Sequence, residues 1–364
     1  MENHVSTVVL VYGGRSAEHE VSLRSAASVF EALQAAGYHV LPVLITRSGT
    51  WRLMPASPDS FLSDAKPAAE DRVVCAPDPT YGGLLSIGSG SQIRVIKMDV
   101  IFPVLHGTYG EDGTLQGLLE MANAPYVGCG VLASAVGMDK VLMKAAFLAS
   151  GLTVGPYFWF LRSDWENCQR SVIDRFRERR LPVYVKPANL GSSVGISRVE
   201  RAEDFSRAVE LALSYDRKIL VEDGIVGREL EVSVLGNDSP VASLAGEVIS
   251  QGAFYDYEEK YIRDTAQLII PAKLSSKEQE LAASTAVQAF RAVDGSGMAR
   301  VDMFLTRDGD MVVNEINTIP GFTSISMYPK LWEATGVSFT ELVTRLIELA
   351  VERHRQKQLL KTDR

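Results

Sequence analysis

The first clear pattern along the chain is a short apolar run, TVVLVY at residues 7–12, that stops at Gly13-Gly14. A β-branched run of this length bounded by glycine predicts a strand buried on both faces. Ala26, Val29, Phe30 and Leu33 then recur at helical spacing and Gly37 closes the segment. A helix is predicted there, followed by a second strand at 38–45. Strand, helix, strand in this order is a βαβ unit. It sets parallel strands side by side and collects ligands beyond their carboxyl ends, where the loop 13–20 falls. Residues 47–97 lose the pattern. They are rich in Pro, Gly, Ser and Asp and read as hairpins and loops carrying little chemistry. It returns at 100–105, an apolar strand ending in His106-Gly107. A glycine-dense loop to 113 and a helix near 115–123 follow.

Farther on, helices are predicted at 140–149, 202–214, 277–293 and 339–360. Strands are predicted at 183–186, 218–222, 229–235, 241–249, 299–305 and 311–316. A polar, aromatic-rich loop spans 250–267, and no internal repeat is found. The fold class is α/β. A chain of 364 residues implies two or three domains, with an edge near residues 125–130.

Composition narrows the function classes. With 37 Lys plus Arg against 45 Asp plus Glu the formal net charge is −8, which argues against a nucleic-acid surface. No apolar run approaches the ~18 residues of a membrane helix, and no basic segment precedes the first apolar run, so no secretory signal is expected. Cys75, Cys129 and Cys168 are far apart and form no CxxC pair. A reducing cytoplasm fits them better than a disulfide framework.

The sharpest chemical signal is the hairpin at 299–317. Read as a two-residue turn, Asp308-Gly309 sets Arg307 opposite Asp310, Phe304 opposite Val313, Asp302 opposite Glu315 and Arg300 opposite Asn317. Alternation then puts Arg300, Asp302, Glu315 and Asn317 on one face. Two carboxylates directly across a ladder repel, so positive charge belongs between them. It could be Mg²⁺ or Mn²⁺ completed by substrate phosphates, or Arg300 as an internal ion-pair partner.

A bound nucleotide would need a phosphate cradle, and no Walker motif is present. The turn Gly191-Ser192-Ser193-Val194-Gly195 follows a strand ending in Lys186-Pro187 and offers backbone N–H groups, hydroxyls and a charge. Lys140, after Met138-Asp139, is a second cation. Ile219-Leu220-Val221-Glu222 could form an adenine slot in which Glu222 accepts from the exocyclic amine, with Glu229 within reach of a ribose. A buried strand with a polar end explains it equally. Residues 128–133 (GCGVLA) match the dinucleotide fingerprint, but no acid follows at the spacing a ribose needs. Glu18, before the first helix, could serve the helix dipole or a ligand ammonium. His106 lies at the same edge of the sheet.

Together these pieces carry a family resemblance. The segments are Gly13-Gly14-Arg15-Ser16-Ala17-Glu18-His19-Glu20-Val21-Ser22, His106-Gly107 with Gly110-Glu111-Asp112-Gly113-Thr114-Leu115-Gln116-Gly117, Met138-Asp139-Lys140, and Lys186-Pro187 with the 191–195 turn. Phe254-Tyr255-Asp256-Tyr257 with Lys260-Tyr261, Arg300-Val301-Asp302, Asn314-Glu315-Ile316-Asn317-Thr318 and Pro320-Gly321-Phe322-Thr323-Ser324 complete the set. In this order, over nearly the whole length, the chain resembles the D-alanine–D-alanine ligases of the ATP-grasp superfamily.

The resemblance implies an ATP-grasp fold with an N-terminal parallel-sheet, Rossmann-like domain. It implies domains at 1–130, 131–223 and 224–364, with the loop 250–267 as a lid. It implies ATP held by Lys140, Lys186, Ser193, Glu222, Ile225, Glu229, Phe254 and Lys260, and two Mg²⁺ or Mn²⁺ on Asp302, Glu315 and Asn317. Glu18 would take the ammonium of the first D-alanine, whose carboxylate becomes an acyl phosphate that the second D-alanine attacks. Arg300 and the Gly321 N–H would stabilise the oxyanion. Ser326 and Lys260 would hold the second carboxylate, with His106 and Met327 near the substrates. Tyr261, Ser192 and Glu18 would fasten the lid and exclude water. Tyr261, Ser192 and His106 are all open as the acceptor of the second ammonium's proton. Tyr261 favours the dipeptide over the D-alanyl-D-lactate of the nearest rival. The chain departs from the family pattern in two places, Asp223-Gly224-Ile225 beside the adenine slot and Met327 where Leu is common. A cytoplasmic homodimer serving peptidoglycan synthesis is implied.

Overall fold

The computed structural model describes residues 5–62, 72–88, 92–191, 193–249 and 267–361. It begins with the expected unit: β1 (Thr7–Gly13), α1 (His19–Ala35) and β2 (His39–Ile45). Next come β3 (Trp51–Leu53), β4 (Arg72–Val74), β5 (Gly83–Ile87), β6 (Ile93–Lys97) and β7 (Val100–Val104). All seven share one sheet in the order β6-β5-β4-β3-β2-β1-β7. β1 pairs in parallel with β2 and β7. From β2 outward to β6 every neighbour is antiparallel. The N-terminal sheet is therefore mixed rather than parallel, and the stretch 47–97 forms an antiparallel wing instead of loops. Its strands are three to five residues long and mostly half- or fully exposed. They lack the continuous apolar run that betrays β1 and β7.

Two further sheets follow. After α2 (Thr114–Met121), α3 (Val131–Met138) and α4 (Lys140–Ala149) come β8 (Tyr157–Leu161), α5 (Arg162–Arg177), β9 (Val183–Pro187), β10 (Ser197–Val199), α6 (Phe205–Leu213) and β11 (Lys218–Asp223). Their four strands form an antiparallel sheet, order β10-β9-β11-β8. β12 (Gly227–Gly236), β13 (Val241–Ile249), β14 (Gln267–Ile269), α7 (Ser276–Ala292), β15 (Gly297–Thr306) and β16 (Met311–Asn317) supply the third, antiparallel in the order β14-β13-β12-β15-β16. α8 (Met327–Ala334) and α9 (Phe339–Gln358) close the chain.

Packing does not follow chain order. The central sheet has its own core with α5 and α6, built on Phe160, Trp165, Phe176 and Phe205. Met143 and Phe147 of α4 instead pack with α7 and the third sheet. One face of the N-terminal sheet and α1 share a single cluster with α8 and α9, in which Phe30, Phe102, Phe322, Tyr328 and Leu346 are all buried. First and last parts of the chain are thus joined by common apolar contacts. Among the described residues no helix is long and apolar enough to cross a membrane.

The hairpin differs in detail from its sequence reading. Thr306 N donates to the Asp310 carbonyl, so three residues turn rather than two. Phe304 consequently faces Val312, not Val313, and Thr306, not Arg307, faces Asp310. The register then shifts between Asp302 and Met303, leaving Asn314 as an extra residue on β16. That bulge restores the expected pairs Asp302–Glu315 and Arg300–Asn317. The turn length and the bulge offset each other.

Candidate active site

One cavity lies where the three parts meet. It is lined by Glu18 and His106 from the first, by Lys140, Lys186, Ser193, Glu222 and Ile225 around the central sheet, and by Glu229, Arg300, Glu315, Asn317 and Gly321 from the third. Twelve sequence-predicted residues are thereby brought to one place. The expected adenine slot, phosphate cradle and metal hairpin are three walls of it.

The helix α4 sets the lysines. Asp139 caps it by accepting from the N–H groups of Val141 and Leu142, 3.0 and 3.1 Å, and pairs with Lys218. Lys140 is pinned at its start: its N–H donates to the Ala188 carbonyl at 2.9 Å. Its Nζ donates to the Leu190 carbonyl at 2.9 Å and stands 3.4 Å from Glu315. One helical turn on, Lys144 points the same way. Its Nζ lies 2.6 Å from Glu222 Oε1, while Lys186 Nζ lies 2.6 Å from Glu222 Oε2. Burial opposes ionisation of Glu222, but the two ammonium groups outweigh it and hold the carboxyl down at about 2. Burial likewise opposes the charge on Lys186, and Glu222 overrides it, so its pKa rises.

Across the third sheet, Glu231, Asp302 and Glu315 stand side by side on β12, β15 and β16. Arg300 makes a two-pronged bond to Asp302, 2.7 Å on each arm, and its Nε lies 3.0 Å from Glu231. Asn317 Nδ2 donates to Asp302 at 3.1 Å. The internal ion pair weighed from the sequence is therefore formed, with Glu231 as an added partner. The donors also suit a hard divalent cation, because two carboxylates and an amide oxygen offer only oxygen ligands. Among the described residues no group of three or more His, Cys, Asp or Glu side chains is arranged to hold a metal. A divalent cation bound there would need further ligands, of the kind that phosphates and water supply.

At the other end, Glu18 is held by its backbone. Its N–H donates to Ser16 Oγ at 3.1 Å, and that hydroxyl donates to the His106 carbonyl at 2.8 Å. The carboxylate lies in a niche left by two glycines. A Cβ on Gly107 would come within 2.5 Å of Glu18 Oε2, and one on Gly191 within 2.9 Å. Gly107 also has φ +74°, where side chains are strained. Close by, burial and the Glu18 charge push the Glu111 carboxyl well above the usual carboxylate range. His106 is held at both nitrogens, Nδ1 to the Ile319 carbonyl at 3.0 Å and Nε2 to Ser25 Oγ at 3.1 Å. Since a carbonyl only accepts, Nδ1 carries the proton. Burial lowers the His106 pKa and keeps the ring neutral.

Some predicted residues fall elsewhere. Met327 is buried with Val248 and Leu331 against β13, in an apolar cluster and not on the cavity wall. Ser326 Oγ is bonded to Thr323, 3.0 Å to its N–H and 2.7 Å to its hydroxyl, and is also off the wall. Asp302 is buried behind Arg300. Ser192, Phe254, Lys260 and Tyr261, with the loop 250–266, lie outside the described residues. In the dinucleotide-like stretch at 128–133, the Gly128 carbonyl accepts from Arg353 of α9. Sequence reasoning gave no role to Glu111, Lys144, Tyr184 or Glu231. The i, i+4 spacing of Lys140 and Lys144 was the one signal that could have found a member of this set.

Comparisons with known proteins show what the chain is similar to. A family model described as D-ala D-ala ligase N-terminus matches residues 7–129, and one described as D-ala D-ala ligase C-terminus matches residues 146–348. The chain is 49% identical over 360 residues to a D-alanine--D-alanine ligase of Heliobacterium modesticaldum, covering 98% of each chain. It is 46% identical over 353 residues to one from Bacillus licheniformis, covering 97% and 98%. Among solved structures it resembles the D-alanine-D-alanine ligase from Coxiella burnetii, with TM-score 0.83, 37% identity and coverage of 97% and 96%. The VanG D-Ala:D-Ser ligase from Enterococcus faecalis matches with TM-score 0.84 and 36% identity, covering 95% of this chain and all of that one.

Proposed function

The chain belongs to the D-alanine–D-alanine ligase family, and from that membership we propose how its cavity divides the work. The reaction is ATP-dependent ligation of two D-alanines for peptidoglycan precursors, not formation of D-alanyl-D-lactate. ATP and a divalent metal are used. The observation that carries the residue assignments is the meeting of Glu18, Lys140, Lys186, Glu222, Arg300 and Glu315 around one cavity.

Lys140 and Lys186 bind phosphate oxygens, helped by Ser193 and the backbone of its turn. Glu222 accepts from the adenine amine, Ile225 flanks the base and Glu229 accepts from the ribose. Asp302, Glu315 and Asn317 would hold two Mg²⁺ or Mn²⁺, which when bound would neutralise phosphate charge. Glu18, held in its glycine niche, takes the ammonium of the first D-alanine and aims that substrate's carboxylate at the γ-phosphate. Arg300 and the Gly321 N–H face the carbonyl of the resulting acyl phosphate and stabilise the oxyanion as the second amine attacks. Lys260 anchors the second carboxylate, and Ser326, off the cavity wall and bonded to Thr323, would have to leave that partner to join it. Phe254 and Tyr261 belong to the lid that keeps water from the acyl phosphate, and Ser192 and Glu18 help Tyr261 fasten it. His106, neutral and bonded at both nitrogens, shapes the substrate end, which favours Tyr261 or Ser192 as proton acceptor. The domain limits 1–130, 131–223 and 224–364, a homodimer and a cytoplasmic location complete the proposal and rest on the resemblance.

Incubation with ATP, Mg²⁺ and D-alanine tests the whole reading. D-alanine-dependent phosphate release with a product of dipeptide mass is expected. Absence of that phosphate overturns it, and equal turnover with D-lactate as second substrate at neutral pH would reinstate the rival product.

A further inference from the structure

We propose that Lys144 is a positioning residue for base selection: it keeps Glu222 ionised and aimed at the adenine amine once Lys186 turns to the phosphates. This rests on the assignment of Glu222 to that amine.

Glu222 is clasped by two ammonium groups of unequal access. Lys186 lines the cavity, stands on β9 beside the 191–195 turn, and is 13% exposed. Lys144 is 1% exposed and is absent from the cavity wall. A polyphosphate in the cavity can therefore draw Lys186 but cannot reach Lys144. Were Lys186 the sole partner, its departure would leave a buried carboxylate uncompensated, and such a group takes up a proton or turns away. Either change removes an acceptor. Lys144 prevents both. A second bond fixes its own position: its Nζ donates to the Asn314 carbonyl at 3.3 Å, at the bulge of β16. The Tyr157 ring lies 5.9 Å from the same ammonium.

An ionised carboxylate only accepts hydrogen bonds. It welcomes a base with an amine at that edge and repels one with a carbonyl there. Rejection of the wrong base therefore depends on Glu222 staying charged, and hence on Lys144.

The test compares ATP with inosine triphosphate in the full-length enzyme. Lys144→Met is expected to raise the KM for ATP and to cut the ATP-over-inosine-triphosphate preference in kcat/KM, each by about tenfold. Its kcat with ATP should stay within about threefold and its KM for D-alanine should be unmoved, because the lost bond serves binding of the base. Lys144→Arg keeps the charge and should keep most of the preference. If Lys144→Met does not fold, Lys144→Gln is read in its place. An unchanged preference in the neutral variant overturns the proposal. So does a fall in kcat with preference intact, or loss of fold in both neutral variants, since each marks a merely structural lysine. A wild-type enzyme with no preference for ATP would instead overturn the assignment of Glu222.

Discussion

At the scale of single residues, the cavity is governed by which charges have partners. Glu222 and Glu111 are both carboxyls beside it, yet their pKa values move in opposite directions. Lys144 and Lys186 hold the first down. Burial and the neighbouring Glu18 push the second up. A carboxyl whose folded pKa is raised binds its proton more tightly folded than unfolded. Its effect on stability is therefore lost as pH climbs from the unfolded value toward the folded one. Glu111→Gln removes that penalty. The variant should melt roughly 2–4 °C above wild type at neutral to mildly alkaline pH and close to it at pH ~4, below the ordinary carboxyl value. Thermal melts at the two pH values check this, and a gain that is larger in acid would contradict the sign. Glu111 was visible in the sequence within its glycine-rich segment, but its state was not. The shift arises because Glu18, Glu111 and Gly191 converge from three distant stretches.

At the scale of elements, the β15–β16 hairpin shows what a sequence can and cannot reveal. Alternation along each strand was legible, so the shared face of Arg300, Asp302, Glu315 and Asn317 was too. The three-residue turn and the Asn314 bulge were not, because both are choices of backbone path that side-chain type only weakly dictates. Without the bulge, the three-residue turn would set Asn314 across from Asp302 and send Glu315 to the opposite face. Glu315 instead faces the cavity, next to Lys140. Glu315→Gln should cut Mg²⁺-dependent turnover by about a hundredfold or more and leave the circular dichroism spectrum and melting temperature nearly unchanged. Unaltered turnover would remove Glu315 from the proposed metal site. The N-terminal wing and α5 escaped the sequence for a related reason. Half-exposed short strands and a helix as polar as residues 162–177 bury too little apolar surface to leave a clear period.

At the scale of the whole molecule, the cluster shared by α1, the N-terminal sheet, α8 and α9 is the principal join. Phe322 sits in its middle, fully buried, with ring centroids 6.1, 5.3 and 6.1 Å from Phe102, Tyr328 and Phe339. Its N–H donates to Ser25 Oγ, the hydroxyl that also meets His106. Phe322→Ala should destabilise by about 3–5 kcal/mol. In calorimetry the first and last parts of the chain should shift together in one transition. Separate shifts would show that the join is weaker than its burial indicates. The order of motifs announced the parts of this chain, but periodicity could not say that the first packs on the last. The same join bears on how such enzymes can be recombined. A chimera that takes residues 1–130 from one relative and the rest from another would cut through a single interior, mixing side chains never fitted to each other. A crossover scheme should exchange α1 with the segment from Phe322 through α9 as one heritable block, even though some three hundred residues of chain lie between them.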